Sequence, residues 1–185
     1  MFGIYSCAVY HPYWIYLDDG RERNPDADEY TYALMDFKKP GNARPGKHEK
    51  AISRFSDLFI NELRDNGFVG DQYQIVIVPS SKAGVVSAAL ISVANNAADE
   101  LGLEVCADAL ERVTQIDALH EGGDRSQAVH LRSIRVNDLE LDEDKEIILL
   151  DDVTTSGNTL YACETLLREA GFENIHLVAL LRTER

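Results

Sequence analysis

Little in this chain is suited to cross-linking it, anchoring it or loading it with metal. Only three of its 185 residues are cysteine. Cys7, Cys106 and Cys163 lie far apart and form no CxxC pair, so neither a zinc site nor a disulfide framework is expected, and reduced structural thiols are. His11, His48, His120, His130 and His176 show no metal-ligand spacing and read as surface or structural positions, with an acid–base role left open for His120 beside Glu121. No apolar run reaches the ~18 residues of a membrane span, and no basic-then-apolar leader is present. The cytoplasm is therefore the expected location. No GxxxxGK[ST] string occurs, which excludes a Walker-type phosphate loop. Basic charge is also scarce: 18 Lys and Arg stand against 32 Asp and Glu, a net charge of −14. Such a field repels polyanions, and broad nucleic-acid binding is disfavoured. Basic residues gather only locally, at Lys38, Lys39, Arg44 and Lys47 and at Arg112, Arg125, Arg132 and Arg135. Those clusters suit a small anionic ligand or a focused RNA contact.

What the chain does have is concentrated in Ile147-Ile148-Leu149-Leu150-Asp151-Asp152-Val153-Thr154-Thr155-Ser156-Gly157-Asn158-Thr159. Four consecutive aliphatic residues suit a central parallel strand covered on both faces. A helical pattern runs from Thr159 to Ala170, so strand, loop and helix start meet at one point. Main-chain N–H groups at such a start, with the hydroxyls of Thr155, Ser156 and Thr159, suit a phosphate. Gly157 allows close backbone approach. Asp151 and Asp152 at the strand's carboxyl end suit vicinal sugar hydroxyls or a hydrated Mg2+. The string reads as a cradle for a phosphosugar.

Along the rest of the chain, residues 1–46 mix short aromatic strands with turn signals at Asp18-Asp19-Gly20, Asn24-Pro25-Asp26 and Pro40-Gly41-Asn42, which predicts a small β-rich appendage. The core is expected from residue 47. Ile52, Phe55, Leu58, Phe59 and Leu63 fall at helical spacing over 47–65, ended by Asn66-Gly67. A strand over 74–78, the loop Pro79-Ser80-Ser81-Lys82-Ala83-Gly84 and a small-residue helix over 85–101 repeat the strand–loop–helix unit. A strand near 105–110, a polar glycine-containing stretch over 111–132, the motif strand and a last strand over 174–181 complete the pattern. Strands alternating with helices predict an α/β, doubly wound, mostly parallel sheet with ligands at the strands' carboxyl ends. The acidic stretch 138–146 reads as a solvated loop. At this length the chain can bury a substantial core as one domain, and it contains no internal repeat or low-complexity linker.

The thirteen-residue string resembles the phosphoribosyl-diphosphate (PRPP) motif of type I phosphoribosyltransferases: an aliphatic strand, two acids, an aliphatic residue, and a Thr/Ser/Gly loop ending in Thr. The loop 79–84 falls where that family carries its pyrophosphate-binding loop, with small residues that leave N–H groups facing outward and Lys82 adding positive charge. Leu110-Glu111-Arg112-Val113-Thr114-Gln115 through Arg125, and the segment 32–39 ending in Lys, resemble the ComF-like branch. The cysteine-rich zinc element of that branch is missing from the N-terminal region. The resemblance covers about residues 30–182 and implies the type I phosphoribosyltransferase fold, with the N-terminal segment as its hood.

It also implies a reaction in which a nitrogen nucleophile, such as a nucleobase, displaces pyrophosphate from C1 of PRPP with Mg2+ present. PRPP would be held by Val153, Thr154, Thr155, Ser156, Gly157, Asn158, Thr159, Ser80, Ser81, Lys82 and Ala83. Asp151 and Asp152 would fix the ribose hydroxyls and the metal, through water or those hydroxyls. Arg125 would add a pyrophosphate contact from a closing loop. Tyr5, Tyr10, Tyr13, Trp14, Tyr16, Tyr30 and Tyr32 include rings suited to stacking on a base, although aromatics alternating through strands also suit a core. A homodimer is a family-based expectation. Two other readings stand beside the enzyme: a PRPP- or nucleotide-sensing module without turnover, and an effector of stress or phage defence that works with a partner protein or RNA.

Overall fold

The computed structural model describes residues 3–38, 46–116 and 126–184. Five strands, β1 (Tyr5–Tyr10), β4 (Tyr73–Ile77), β5 (Glu104–Cys106), β8 (Glu146–Thr154) and β9 (Ile175–Thr183), form one sheet in the order β1-β9-β8-β4-β5. Every pairing in it is parallel.

Alternation along the central strands sorts two cores. Ile75, Ile77, Ile148, Leu150, Val178 and Leu180 face one side and pack with α1 (Glu29–Lys38), α2 (Lys47–Asp65) and α3 (Ala88–Leu101). Val76, Val78, Ile147, Leu149, Leu177 and Ala179 face the other and pack with Leu160, Cys163 and Leu167 of α5 (Asn158–Glu169). The expected doubly wound parallel sheet is observed, and the uninterrupted aliphatic runs in β4 and β8 follow from burial on both faces.

The helices form where their sequences close the ends. In α2, Phe55, Phe59, Ile60 and Leu63 are buried on one stripe, and Gly67 follows at φ 77°. In α3 the Ser87 hydroxyl accepts from the Leu90 amide at 3.3 Å, and Gly102 at φ 74° ends the last turn. This cap sets the start of α3 at Ala88, three residues later than the expected 85, and lengthens the loop after β4.

The N-terminal segment divides. β1 is an edge strand of the central sheet, while β2 (Trp14–Leu17) and β3 (Gly20–Arg23) make a separate antiparallel hairpin. The stretch after it, expected to be β-rich, is the helix α1. Asp28 accepts from the amides of Tyr30 and Thr31 at 2.9 and 3.0 Å, and its own amide donates to the Thr31 hydroxyl at 3.1 Å. This reciprocal cap nucleates a helix that the aromatic content obscures.

The strand expected near 105–110 is two strands. β5 ends at Cys106, and β6 (Leu110–Arg112) turns away to pair antiparallel with β7 (Ile134–Val136). A short helix α4 (Gln127–Ser133) precedes β7. The three cysteines are free, with Cys106 and Cys163 buried. Among the described residues no helix is long and apolar enough to cross a membrane.

Candidate functional site

Parallel strands β4 and β8 run side by side, Ile77 at the end of β4 in register with Leu150 of β8, which continues to Thr154. Their following loops therefore open onto the same edge of the sheet. A cavity of about 590 Å3 lies there, within the size range of small-molecule sites. Its lining includes Ser80, Ser81 and Lys82 from the first loop and Asp151, Asp152, Val153, Thr155 and Thr159 from the second.

Of the other residues expected at the site, Thr154 is buried below the loop, and Ser156 and Ala83 are exposed beside it. Gly157 and Asn158 form the start of α5 without lining the cavity. Gly157 has φ 78°, and a Cβ there would lie 2.7 Å from both Ile4 Cδ1 and Tyr161 Cε2. Backbone conformation and space both require glycine at that turn. Arg125, His120, Glu121, Lys39 and Arg44 lie outside the described residues.

None of the seven aromatic residues proposed for base stacking lines the cavity. Tyr5, Tyr10 and Tyr30 pack against the core. The ring of Tyr13 meets that of Trp14 edge-on, Arg21 covers Trp14, and Arg23 lies over Tyr13 and Tyr32. The wall on that side is formed instead by Phe37, Lys38, His48, Val85 and Val86.

Lys38, at the end of α1, is the contact that the local sequence conceals. Its Nζ lies 3.1 Å from one oxygen of Asp152 and 3.0 Å from the other. The residues are 114 positions apart in the chain. Partial burial works against the charge on Lys38, but the attraction of Asp152, its hydrogen bond, and the nearby Asp151 and Tyr10 outweigh it, so the ammonium titrates above its ordinary value. Asp151 shifts the opposite way in function: burial first, then the charge of Asp152, pushes its carboxyl up to about 7. Lys38, Arg112 and the Asp152 amide, which donates to Asp151 Oδ1 at 2.8 Å, oppose that rise. One acid of the pair is thus ion-paired to a lysine while its neighbour titrates near neutrality.

Arg112 and His130 are also at the site. Arg112 is 1% exposed. Its Nε donates to the Ser80 carbonyl and its Nη1 to the Ser133 hydroxyl at 2.6 Å. His130 meets Arg112 Nη2 through Nδ1 at 3.4 Å and the Thr159 hydroxyl through Nε2 at 3.3 Å. The backbone ties the first loop to the same ribbon: Gly84 N–H donates to the Arg112 carbonyl at 2.9 Å and Ile116 N–H to the Ser81 carbonyl at 3.1 Å. Spacing in the sequence gives no sign of His130's contacts; of the surface or structural place expected for it, the structure shows a buried position at the cavity wall.

The carboxylates can receive hydroxyl donors, and the acids fit a divalent cation in one manner. Both oxygens of Asp152 face Lys38 and one of Asp151 takes an amide. Among the described residues no group of three or more His, Cys, Asp or Glu side chains could enclose a metal. The donor set therefore suits Mg2+ that keeps most of its waters and takes other oxygens from a bound substrate, which is its common habit at phosphate sites.

No curated protein matches this sequence. Among solved structures, a hypoxanthine phosphoribosyltransferase from Staphylococcus aureus is similar, with 12% identity, a TM-score of 0.41 and coverage of 72% of this chain and 66% of that one. This chain thus spans just under two thirds of that protein. The sequence profile described as the phosphoribosyl transferase domain matches residues 49–185, from α2 through both loops to the last strand. The chain belongs to the phosphoribosyltransferase domain family.

Proposed function

We propose that the protein binds PRPP with Mg2+ and transfers the phosphoribosyl group to a nitrogen acceptor, a nucleobase or a related compound, releasing pyrophosphate. The observation that carries this reading is the convergence of Asp151, Asp152 and Thr159 with Ser80, Ser81 and Lys82 on one cavity. In this reading the loop 153–159 and the start of α5 take the 5′-phosphate. Asp151 and Asp152 accept hydrogen bonds from the ribose hydroxyls. The loop 79–84 and Lys82 face the pyrophosphate.

The reaction breaks the bond from C1 to pyrophosphate, whose oxygen leaves with the electron pair, while the acceptor nitrogen bonds to C1. Positive charge develops on the ribose ring, and two carboxylates beside it stabilise that charge. Bound Mg2+ would supply charge neutralisation for the departing pyrophosphate, with Asp151 and Asp152 holding its water shell. Lys38 holds the Asp152 carboxylate in place before substrate arrives. Arg125 is proposed as an additional pyrophosphate contact. The acceptor would approach the wall made by Phe37, Lys38, His48 and Val85, which gives it a partly apolar surface with a cation and an imidazole at its edge. Action in the cytoplasm, and as a homodimer, completes the proposal.

The test is pyrophosphate release from PRPP across a panel of purine, pyrimidine and simple amine acceptors. Release with one acceptor class, lost in Asp151→Asn, supports the enzyme. PRPP binding without release from any acceptor supports a sensing module instead, and activity restored only by added RNA or a partner protein supports the effector reading.

A further inference from the structure

The Arg112–His130–Thr159 chain joins the two loops from beneath the cavity, and its donors and acceptors fit together in one arrangement. A guanidinium carries only donors. Arg112 Nη2 faces His130 Nδ1 at 3.4 Å, so Nδ1 offers a lone pair and the ring proton sits on Nε2. Nε2 lies 3.3 Å from Thr159 Oγ1, so the imidazole donates and the threonine hydroxyl accepts. A hydroxyl that accepts along one direction keeps its own proton to donate along another. Thr159 lines the cavity, as do His130 and Arg112.

We propose that His130 is a positioning residue: Arg112 fixes it as the Nε2–H tautomer, and it in turn orients the Thr159 O–H into the cavity as a donor to a phosphoryl oxygen. This rests on the phosphosugar reading of the site and deepens it. The chain has a structural reason to matter at both loops. Arg112 also donates to the Ser80 carbonyl and to the Ser133 hydroxyl, which in turn donates to the Val129 carbonyl at 2.8 Å. Arg112 therefore braces the first loop and α4 together, while His130 carries the chain on to Thr159 in the second loop. Removing His130 should weaken the phosphate end of a ligand and spare the pyrophosphate end.

Two measurements on the intact protein test this. The first is the nitrogen-15 spectrum of the ligand-free wild type, where His130 is expected as the Nε2–H tautomer. The second is calorimetric titration with ribose 5-phosphate and, separately, with pyrophosphate and Mg2+. His130→Ala and Thr159→Val are each expected to weaken ribose 5-phosphate about tenfold, the usual scale for losing one hydrogen bond to a charged group. Together they should weaken it no further, because they break one chain. Pyrophosphate affinity should be unchanged. His130→Gln, whose amide nitrogen can donate to Thr159, should restore most of the loss and guards against a folding defect in the alanine variant. An Nδ1–H tautomer, or effects of His130→Ala and Thr159→Val that multiply, would overturn the relay while leaving the phosphosugar site standing. Absence of both ribose 5-phosphate and PRPP binding in the wild type would sink the functional reading, and the phosphate end of the relay with it.

Discussion

At the scale of single residues, Asp151 and Asp152 show how adjacent identical side chains acquire different surroundings. Asp152 has an ammonium on both oxygens, whereas burial and its neighbour's charge act on Asp151. A carboxyl raised from 3.8 to about 7 binds a proton in the folded state that the unfolded chain has already released. Stability must therefore fall as pH rises from about 4 to about 7, by a few kcal/mol at most. Urea unfolding across that window should show the decline, and Asp151→Asn should flatten it. PRPP affinity should move the other way, because only the ionised form accepts hydrogen bonds from ribose hydroxyls at both oxygens. Lys38→Met removes a charge that favours the ionised form of Asp151. Its binding profile should shift to higher pH, as followed by titration calorimetry at a series of pH values. Gly157→Ala should destabilise by about 1–3 kcal/mol, since it forces a side chain into positive φ and against Ile4 and Tyr161. Equilibrium denaturation with a fixed m-value would register it.

At the scale of elements, the parallel strands carry the stability and the N-terminal hairpin carries little. Leu149 in β8 is fully buried, so Leu149→Ala is expected to cost about 3–5 kcal/mol. Tyr16 in β2 is 67% exposed, so Tyr16→Ala should stay within about 0.5 kcal/mol. The same contrast explains what the sequence made legible. The aliphatic runs of β4 and β8 and the stripe Phe55, Phe59, Leu63 of α2 are local patterns with one solution, and α2 was expected over the residues it occupies. The loop string 151–159 was readable because a strand end, acids, hydroxyls and a glycine are contiguous. The place of β1 in the central sheet was not, since pairing with β9 joins segments far apart in the chain and leaves no local trace, although short strands were expected there. α1 was hidden because aromatic residues suit strands, while the Asp28–Thr31 cap that starts the helix is two polar residues in a turn-like context. Lys38 on Asp152, and His130 on Thr159, are contacts across folded space. Periodicity and motif spacing carry no information about such pairs.

At the scale of the whole molecule, a net charge of −14 surrounds a cavity proposed for a polyanion. The cations there, Lys38, Lys82 and Arg112, act over short distances, and the acidic remainder repels an approaching ligand over longer ones. Added salt screens the second effect first. The association rate of PRPP should therefore rise between low and moderate ionic strength, where a nucleic-acid-binding surface would show the reverse. Stopped-flow binding at constant Mg2+ and varied NaCl distinguishes the two.

The most direct measurement is calorimetric titration of PRPP into the intact protein, with and without Mg2+, on the wild type and on Asp151→Asn/Asp152→Asn checked for folding by circular dichroism. The account predicts Mg2+-dependent binding at one site per chain that is lost in the folded double variant. Wild-type protein that does not bind, or a double variant that binds as tightly as the wild type, would contradict the assignment of this cavity to phosphoribosyl transfer.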